Sequence, residues 1–385
     1  MKLSNRILQI PKYIFSRLEE QKNKLCKNNI EVIDLSIGDP DIRTPDFIKE
    51  ELIRNLNIEN YYKYPSYSGV KEFKIEVANF YKRHFGVELD YENEVGVLIG
   101  AKEGLAHIFL ALIDPGDYCL IPEPSYPVYN FATIIAGGIP YKVYLSDKED
   151  YLPNISKICP EVCRKAKLFI VNYPNNPTGA CANLDFYNEL IEYGIKNDII
   201  IINDAAYSNI ICDDKYKISL LQAKDAKKIA AEIGSLSKNF NMTGWRIGYI
   251  VGNREIIKRL LIIKSNMDSG QFIPIQLAGA CALREGDNFI KSMNDIYNVR
   301  RKLVSSLLNQ KQIEVYNSKG TFYVWFKVPN DFSSQQFCEF VLNRAHVMLT
   351  PGEAFGKAGE KFCRLSLTAD FDKLKLAIDK ICGVL

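Results

Sequence analysis

Val95 to Gly116 reads VGVLIGAKEGLAHIFLALIDPG: a short run of strand character, a glycine turn, then an apolar helical run that Asp114, Pro115 and Gly116 bring to a stop. The spacing predicts a strand over 95–100 and a helix from about Glu103 to Ile113. Outward from this unit the same alternation recurs. CLIP, KVYL, AKLFIVN, DIIIIND and IGYIVG are further β-rich runs, and helical stretches such as LDFYNELIEYGIKN separate several of them. Such alternation defines an α/β layer around a mostly parallel sheet. After Gly252 the pattern turns helical through Arg301. TFYVWFKV, a helix near Ser334 to Ala345, FCRLSL and a last helix then predict a smaller α+β domain. The expected division is a large domain over residues 46–280 and a small one built from 1–45 and 281–385.

A chain of 385 residues, 47% hydrophobic and 25% charged, is long enough for two such domains, and it holds no low-complexity tract. Its formal charge is +3, with Lys and Arg scattered among acids, so neither nucleic acid nor an anionic membrane is an expected partner; small anionic substrates are compatible. The ten cysteines are dispersed. Several, such as Cys119 and Cys363, sit in apolar runs where free thiols behave as small hydrophobes, which fits a reducing cytoplasm. Cys159 and Cys163, the nearest pair, have no histidine close by in a chain with three, so no metal site is expected. The N-terminal MKLSNRILQIPKYIFSRLEEQ is broken by Pro11 and turns charged, unlike a secretory signal, and no apolar run reaches membrane-spanning length.

The chemistry concentrates in Ser235–Gly248, SLSKNFNMTGWRIG. An ammonium held among hydroxyls and a guanidinium can lose its proton and condense with an aldehyde. Lys238 is therefore a candidate covalent anchor. Ser235 and Ser237 supply short hydroxyl donors, and Arg246 supplies a planar cationic fork suited to phosphate oxygens. Phosphate plus aldehyde points to pyridoxal 5'-phosphate. SxSK alone is short enough to recur by accident, but the longer string resembles the lysine signature of the class I/II pyridoxal-phosphate-dependent aminotransferases of fold type I.

Motifs in the order of that family run from IDLSIGDPD to RLSL, nearly the whole chain. IGAKEG (99–104) lies at a strand-to-helix junction, where the backbone N–H groups around Ala101 and Lys102 can face an anion; it matches the family's phosphate-binding turn. NYPNNPTG (172–179) is a preset turn whose Asn176, by resemblance, contacts the cofactor's ring hydroxyl. DIIIINDAAY ends a strand on Asp204, a carboxylate suited to keeping a pyridine nitrogen protonated, with Tyr207 three residues on. Where the family usually carries an acidic residue after the Asp, this chain has Ala205 and Ala206, which marks a subgroup. The resemblance also implies a ring stacked on the cofactor at Tyr126, and at Tyr64 a phosphate contact made in the neighbouring subunit, hence a homodimer with shared sites. Arg364 in FCRLSL is either buried against a partner or an inward charge awaiting one; the family uses that position, with the close approach Gly38 permits, to grip the substrate α-carboxylate.

The expected activity is transfer of an amino group between an amino acid and a 2-oxo acid. Within the family, YPSYSGVKEF, FYKRHFGVELD and SLSKNFNMTGWRIG are most similar to the LL-diaminopimelate aminotransferase branch, which implies LL-2,6-diaminopimelate with 2-oxoglutarate. Aspartate or alanine as donor is the alternative, and a pyridoxal-phosphate lyase or decarboxylase would share Lys238, Asp204 and Arg364. A non-enzymatic sensor of the same fold needs a DNA-binding domain, and only a few dozen residues precede LSIGDPD. Arg43 and Glu103 are candidates for reading the far end of the substrate.

Overall fold

The computed structural model describes residues 4–10, 14–329 and 331–385, with the side chains of 14–18 excepted; Pro11 lies outside the described residues. In chain order its strands are β1 (Ile33–Asp34), β2 (Val95–Leu98), β3 (Tyr118–Glu123), β4 (Ile139–Tyr144), β5 (Ala166–Val171), β6 (Ile200–Asp204), β7 (Ala230–Ser235), β8 (Gly248–Gly252), β9 (Tyr323–Lys327), β10 (Val347–Met348), β11 (Thr350–Pro351) and β12 (Phe362–Ser366). Four helices matter below: α1 (Ile14–Lys27), α2 (Ala101–Leu112), α3 (Arg254–Met267) and α4 (Asp287–Gln310).

Seven strands form one sheet in the order β2-β8-β7-β6-β5-β3-β4. Every pairing is parallel except those of β8, which runs against both β2 and β7. Both faces are covered. On β5, Phe169 and Val171 face one core with Phe73, Val77 and Phe80, while Leu168 and Ile170 face the other with Leu105, Ile108 and Phe109 of α2. A strand with two buried faces needs no polar alternation, which is why Ile199–Ile202 reads as an unbroken apolar run.

β7 is the strand the sequence pattern hides. Its AAEIGS has one β-branched residue and two alanines, too weak a signal for period or propensity to register. Helix α2 begins at Ala101, two residues earlier than its periodicity suggests, because Gly100 takes a left-handed φ of 78° and starts the helix immediately.

A second core gathers Ile33, Leu35, Tyr297, Val304, Phe322, Val324, Phe337, Val347 and Leu365 around β9, β11 and β12, an antiparallel three-stranded sheet. The β1–β10 pair joins the N-terminal segment to this core. Between the two cores, five strands of the large sheet deliver their carboxyl ends to one edge: β2 leads to Gly100, β3 to Tyr126, β5 to Asn172, β6 to Asp204 and β7 to Ser235. In an open parallel sheet that edge is where ligands bind.

Candidate active site

A cavity of about 480 Å³ opens at this edge, lined on the sheet side by Ala101, Lys102, Tyr126, Asn176, Asp204, Tyr207, Ser235, Ser237, Lys238 and Arg246, and closed from the second core by Gly38, Tyr323 and Arg364. Of the thirteen residues expected from the sequence to serve catalysis, the cofactor or the α-carboxylate, twelve are thus brought together. Tyr64 is the exception: it is 91% exposed and does not line this cavity.

Lys238 lies in the helical turn Leu236–Asn239, which Ser235 caps by accepting from the Ser237 N–H at 3.1 Å. Its ammonium donates to the Gly38 carbonyl at 2.8 Å. Burial pushes the amine down to about 8; Asp39 opposes the shift, and the guanidinium groups of Arg246 and Arg364 add to it. The neutral, nucleophilic form is therefore accessible near neutral pH.

Asp204 is buried. Tyr129 donates to its Oδ2 at 2.7 Å, the Ala206 N–H reaches its Oδ1 at 3.2 Å, and the Asn172 amide holds its backbone carbonyl at 2.6 Å. Among the described residues no cationic side chain pairs with it. Burial lifts its carboxyl to about 6, against the hydrogen bonds that pull it down. Such a carboxylate is stabilised by any cation placed before it.

Arg364, 1% exposed on β12, donates from Nη1 to Asn176 Oδ1 at 2.8 Å and from Nη2 to the Ser36 carbonyl at 2.6 Å and Thr350 Oγ1 at 3.3 Å. The rings of Tyr323 and Phe355 flank it at 4.1 and 4.8 Å. Because the Asn176 side-chain carbonyl accepts from the guanidinium, its amide N–H₂ is not used in that contact, and the residue lines the cavity. A Cβ on Gly38 would lie 1.8 Å from the Tyr323 hydroxyl, so only glycine allows this backbone approach.

Arg246 donates to the Thr243 carbonyl at 2.7 Å and to Ser237 Oγ at 3.5 Å. Gly100 makes room for it: a Cβ there would sit 2.5 Å from Arg246 Nη2. Helix N–H groups, two serine hydroxyls and a guanidinium thus converge at one end of the cavity. The donor set fits a phosphate, the amine beside it fits an aldehyde, and the lone buried carboxylate fits a protonated ring nitrogen.

Sequence reasoning overlooked Tyr129, Asn172, Tyr323 and Glu19, all of which line the cavity. Tyr129, in the first turn of the helix Val128–Ala136, packs its ring edge-on against Tyr126, which precedes the helix, at 5.9 Å between centroids. Tyr323 meets Tyr207 hydroxyl to hydroxyl at 3.0 Å across 116 residues, a pairing no local pattern carries. Of the two residues considered for the distal end, neither lines the cavity. Arg43 is exposed, and Glu103 turns to the far side of α2. There it accepts from the Ile99 N–H at 2.9 Å, and its Oε1 lies 2.6 Å from His107 Nδ1 and 3.3 Å from the Lys264 ammonium on α3.

Fold and site together define a pyridoxal-phosphate transferase, and the comparisons specify the class. The chain belongs to the class I and II aminotransferases, whose family model matches residues 30–381. It is 43% identical over 378 residues to the LL-diaminopimelate aminotransferase of Aquifex aeolicus, covering 98% of both chains. To that of Halothermothrix orenii it is 42% identical over 381 residues, covering 99% of this chain and 98% of the other. Among solved structures, substrate-bound BacF from Bacillus subtilis superposes with a TM-score of 0.96 at 36% identity, covering 100% and 98%. The protein is an aminotransferase that uses pyridoxal 5'-phosphate.

Proposed function

We propose that this enzyme transfers an amino group from LL-2,6-diaminopimelate to 2-oxoglutarate, a step of lysine biosynthesis, as a cytoplasmic homodimer. The observation that carries the reading is the likeness to LL-diaminopimelate aminotransferases over essentially the whole chain. The absence of a helix long and apolar enough to cross a membrane among the described residues is compatible with it. The two cores correspond in this reading to domains of 46–280 and of 1–45 with 281–385. Tyr64, exposed in the single chain, is available to complete the site of a second subunit.

Bound in the cavity, pyridoxal phosphate supplies an aldehyde for covalent linkage and a cationic ring that accepts the electron pair of a substrate carbanion. The roles of the residues follow from what each can do. The N–H groups at Ala101 and Lys102, the hydroxyls of Ser235 and Ser237, and Arg246 hold the phosphate. Asp204 keeps the ring nitrogen protonated, and Tyr129 keeps Asp204 in place. Tyr126 stacks on the ring, while Asn176 and Tyr207 donate to its phenolic oxygen. Arg364 and the Gly38 backbone grip the α-carboxylate and so set the Cα–H bond to be broken. Lys238 would be the covalent anchor for the aldehyde and, as a free amine, the group that takes up and gives back the substrate α-proton. A lysine poised near neutrality suits both directions of that transfer.

Two measurements test the reading. Mixing the holoenzyme with LL-diaminopimelate, aspartate, glutamate or alanine and following cofactor absorbance should give the fastest conversion with LL-diaminopimelate. An equal or faster rate with aspartate contradicts it, as would carbon dioxide or ammonia as product. Lys238→Ala should lose turnover by at least about 10⁴-fold together with the covalently linked cofactor. A reducible linkage surviving on another lysine overturns the anchor.

A further inference from the structure

Among the described residues the cavity is lined by two carboxylates. One is Asp204, buried at the end of β6. The other is Glu19, exposed on α1 over the cavity mouth. Four cations line the same space, Lys102, Lys238, Arg246 and Arg364, a lining suited to an anionic ligand. A lone carboxylate over such a mouth works against a substrate that brings only negative charge, and in favour of one that brings a distant cation as well.

Its placement is not accidental to the fold. Lys22, one turn along the same helix face, pairs with Asp34 of β1 at 3.2 Å. Asp34 Oδ1 in turn accepts from the Ser36 N–H at 2.9 Å and from its hydroxyl at 2.6 Å, and the Ser36 carbonyl accepts from Arg364. The helix that carries Glu19 is thereby tied through two residues to the guanidinium at the inner end of the cavity. Glu19 and Arg364 line the same cavity, so a substrate anchored by its α-carboxylate at Arg364 and long enough to cross that space can present its far end to α1.

We propose that Glu19 is a specificity-determining residue that binds the distal ammonium of a diamino dicarboxylic acid; this rests on the substrate reading above. A carboxylate paired with that ammonium at the cavity mouth is stabilised, and it is left facing a bare carboxylate when the ammonium is missing. The 2-oxo acid acceptor escapes this discrimination because 2-oxoglutarate is two carbons shorter than diaminopimelate and ends before the mouth.

The experiment compares wild-type and Glu19→Gln holoenzymes with LL-diaminopimelate and with L-2-aminopimelate, which has the same carbon chain and distal carboxylate but no distal ammonium. The readout is the second-order rate of cofactor conversion. Glu19→Gln should slow LL-diaminopimelate about 10-fold while leaving L-2-aminopimelate and the reverse reaction with 2-oxoglutarate within about twofold. Glu19→Asp, which keeps the charge and shortens the reach, should fall between. Equal losses on both amino acids, or no loss on LL-diaminopimelate in an enzyme whose wild type prefers it, overturn the assignment. A wild type that reacts no faster with LL-diaminopimelate than with L-2-aminopimelate and aspartate overturns the substrate reading itself, and this assignment with it.

Discussion

Two buried carboxylates stand on adjacent strands of the large sheet, and burial raises both. Glu232 on β7 is satisfied by the protein. Asn203 Nδ2 and the Leu220 N–H donate to one oxygen at 2.8 and 3.0 Å, and the Ser219 and Tyr81 hydroxyls donate to the other. Asp204 on β6 has one side-chain donor, Tyr129, one N–H at 3.2 Å, and an open cavity in front. The same contrast separates the lysines. Lys264, 1% exposed, sits between Glu103 and Asp268 at 3.3 and 2.9 Å, whereas Lys238 leans on a carbonyl and is pushed toward neutrality. Burial alone does not mark a functional charge; incomplete satisfaction by the fold beside a cavity does.

The contrast breaks most sharply on Asp204→Ala against Glu232→Ala. The first should cut turnover about a thousandfold while the protein keeps its fold and its cofactor. The second should cost about 3 kcal/mol of stability, by leaving several donors unpaired, with turnover of the surviving enzyme nearly unchanged. Thermal melts and single-turnover rates on both variants decide it, and a Glu232 variant that is stable but inactive would reverse the assignment of the two residues.

Arg364→Lys tests whether the guanidinium works as a fork or as a point charge. An ammonium cannot hold Asn176 and a carboxylate with the same geometry, so the specificity constant for the amino donor should fall about a hundredfold. A tenfold smaller loss would assign the residue to packing between Tyr323 and Phe355.

The shifted amine gives a pH signature. Lys238 attacks an aldehyde only when neutral, so cofactor uptake by the cofactor-free protein should rise about tenfold per pH unit up to about 8 and level off above it. Stopped-flow absorbance across pH 6 to 10 measures this, and a rise that continues through pH 10 would show an unshifted lysine. Smallest of all, Tyr129→Phe removes one donor from Asp204 and should lower turnover about fivefold. An unchanged rate would mean that Asn172 and the Ala206 N–H position the carboxylate unaided.

Much of this molecule is legible in its chain because the informative segments are local. Strand, turn and helix follow one another within Val95–Gly116, and SLSKNFNMTGWRIG and NYPNNPTG each place their polar groups within a single turn of backbone. β7 escaped because its stability comes from neighbours on both sides and from the donors around Glu232, none of which leaves a periodic trace. Glu103 was misplaced for a different reason. Its side chain is drawn to His107 on the next turn of α2 and to Lys264 on α3, the latter 161 residues away and beyond any local pattern.

From the sequence alone came the alternation that specifies the sheet, the reactive lysine, the carboxylate at the end of β6 and the arginine of β12, since each depends on residue type and on neighbours within a few positions. Only the tertiary structure decided that Tyr207 meets Tyr323, that Arg364 holds Asn176, that Gly38 passes within touching distance of a tyrosine hydroxyl, and that Glu19 overlooks the cavity. Those are contacts between segments more than a hundred residues apart. Their geometry is fixed by how the two cores close on each other, which no local stretch of chain encodes.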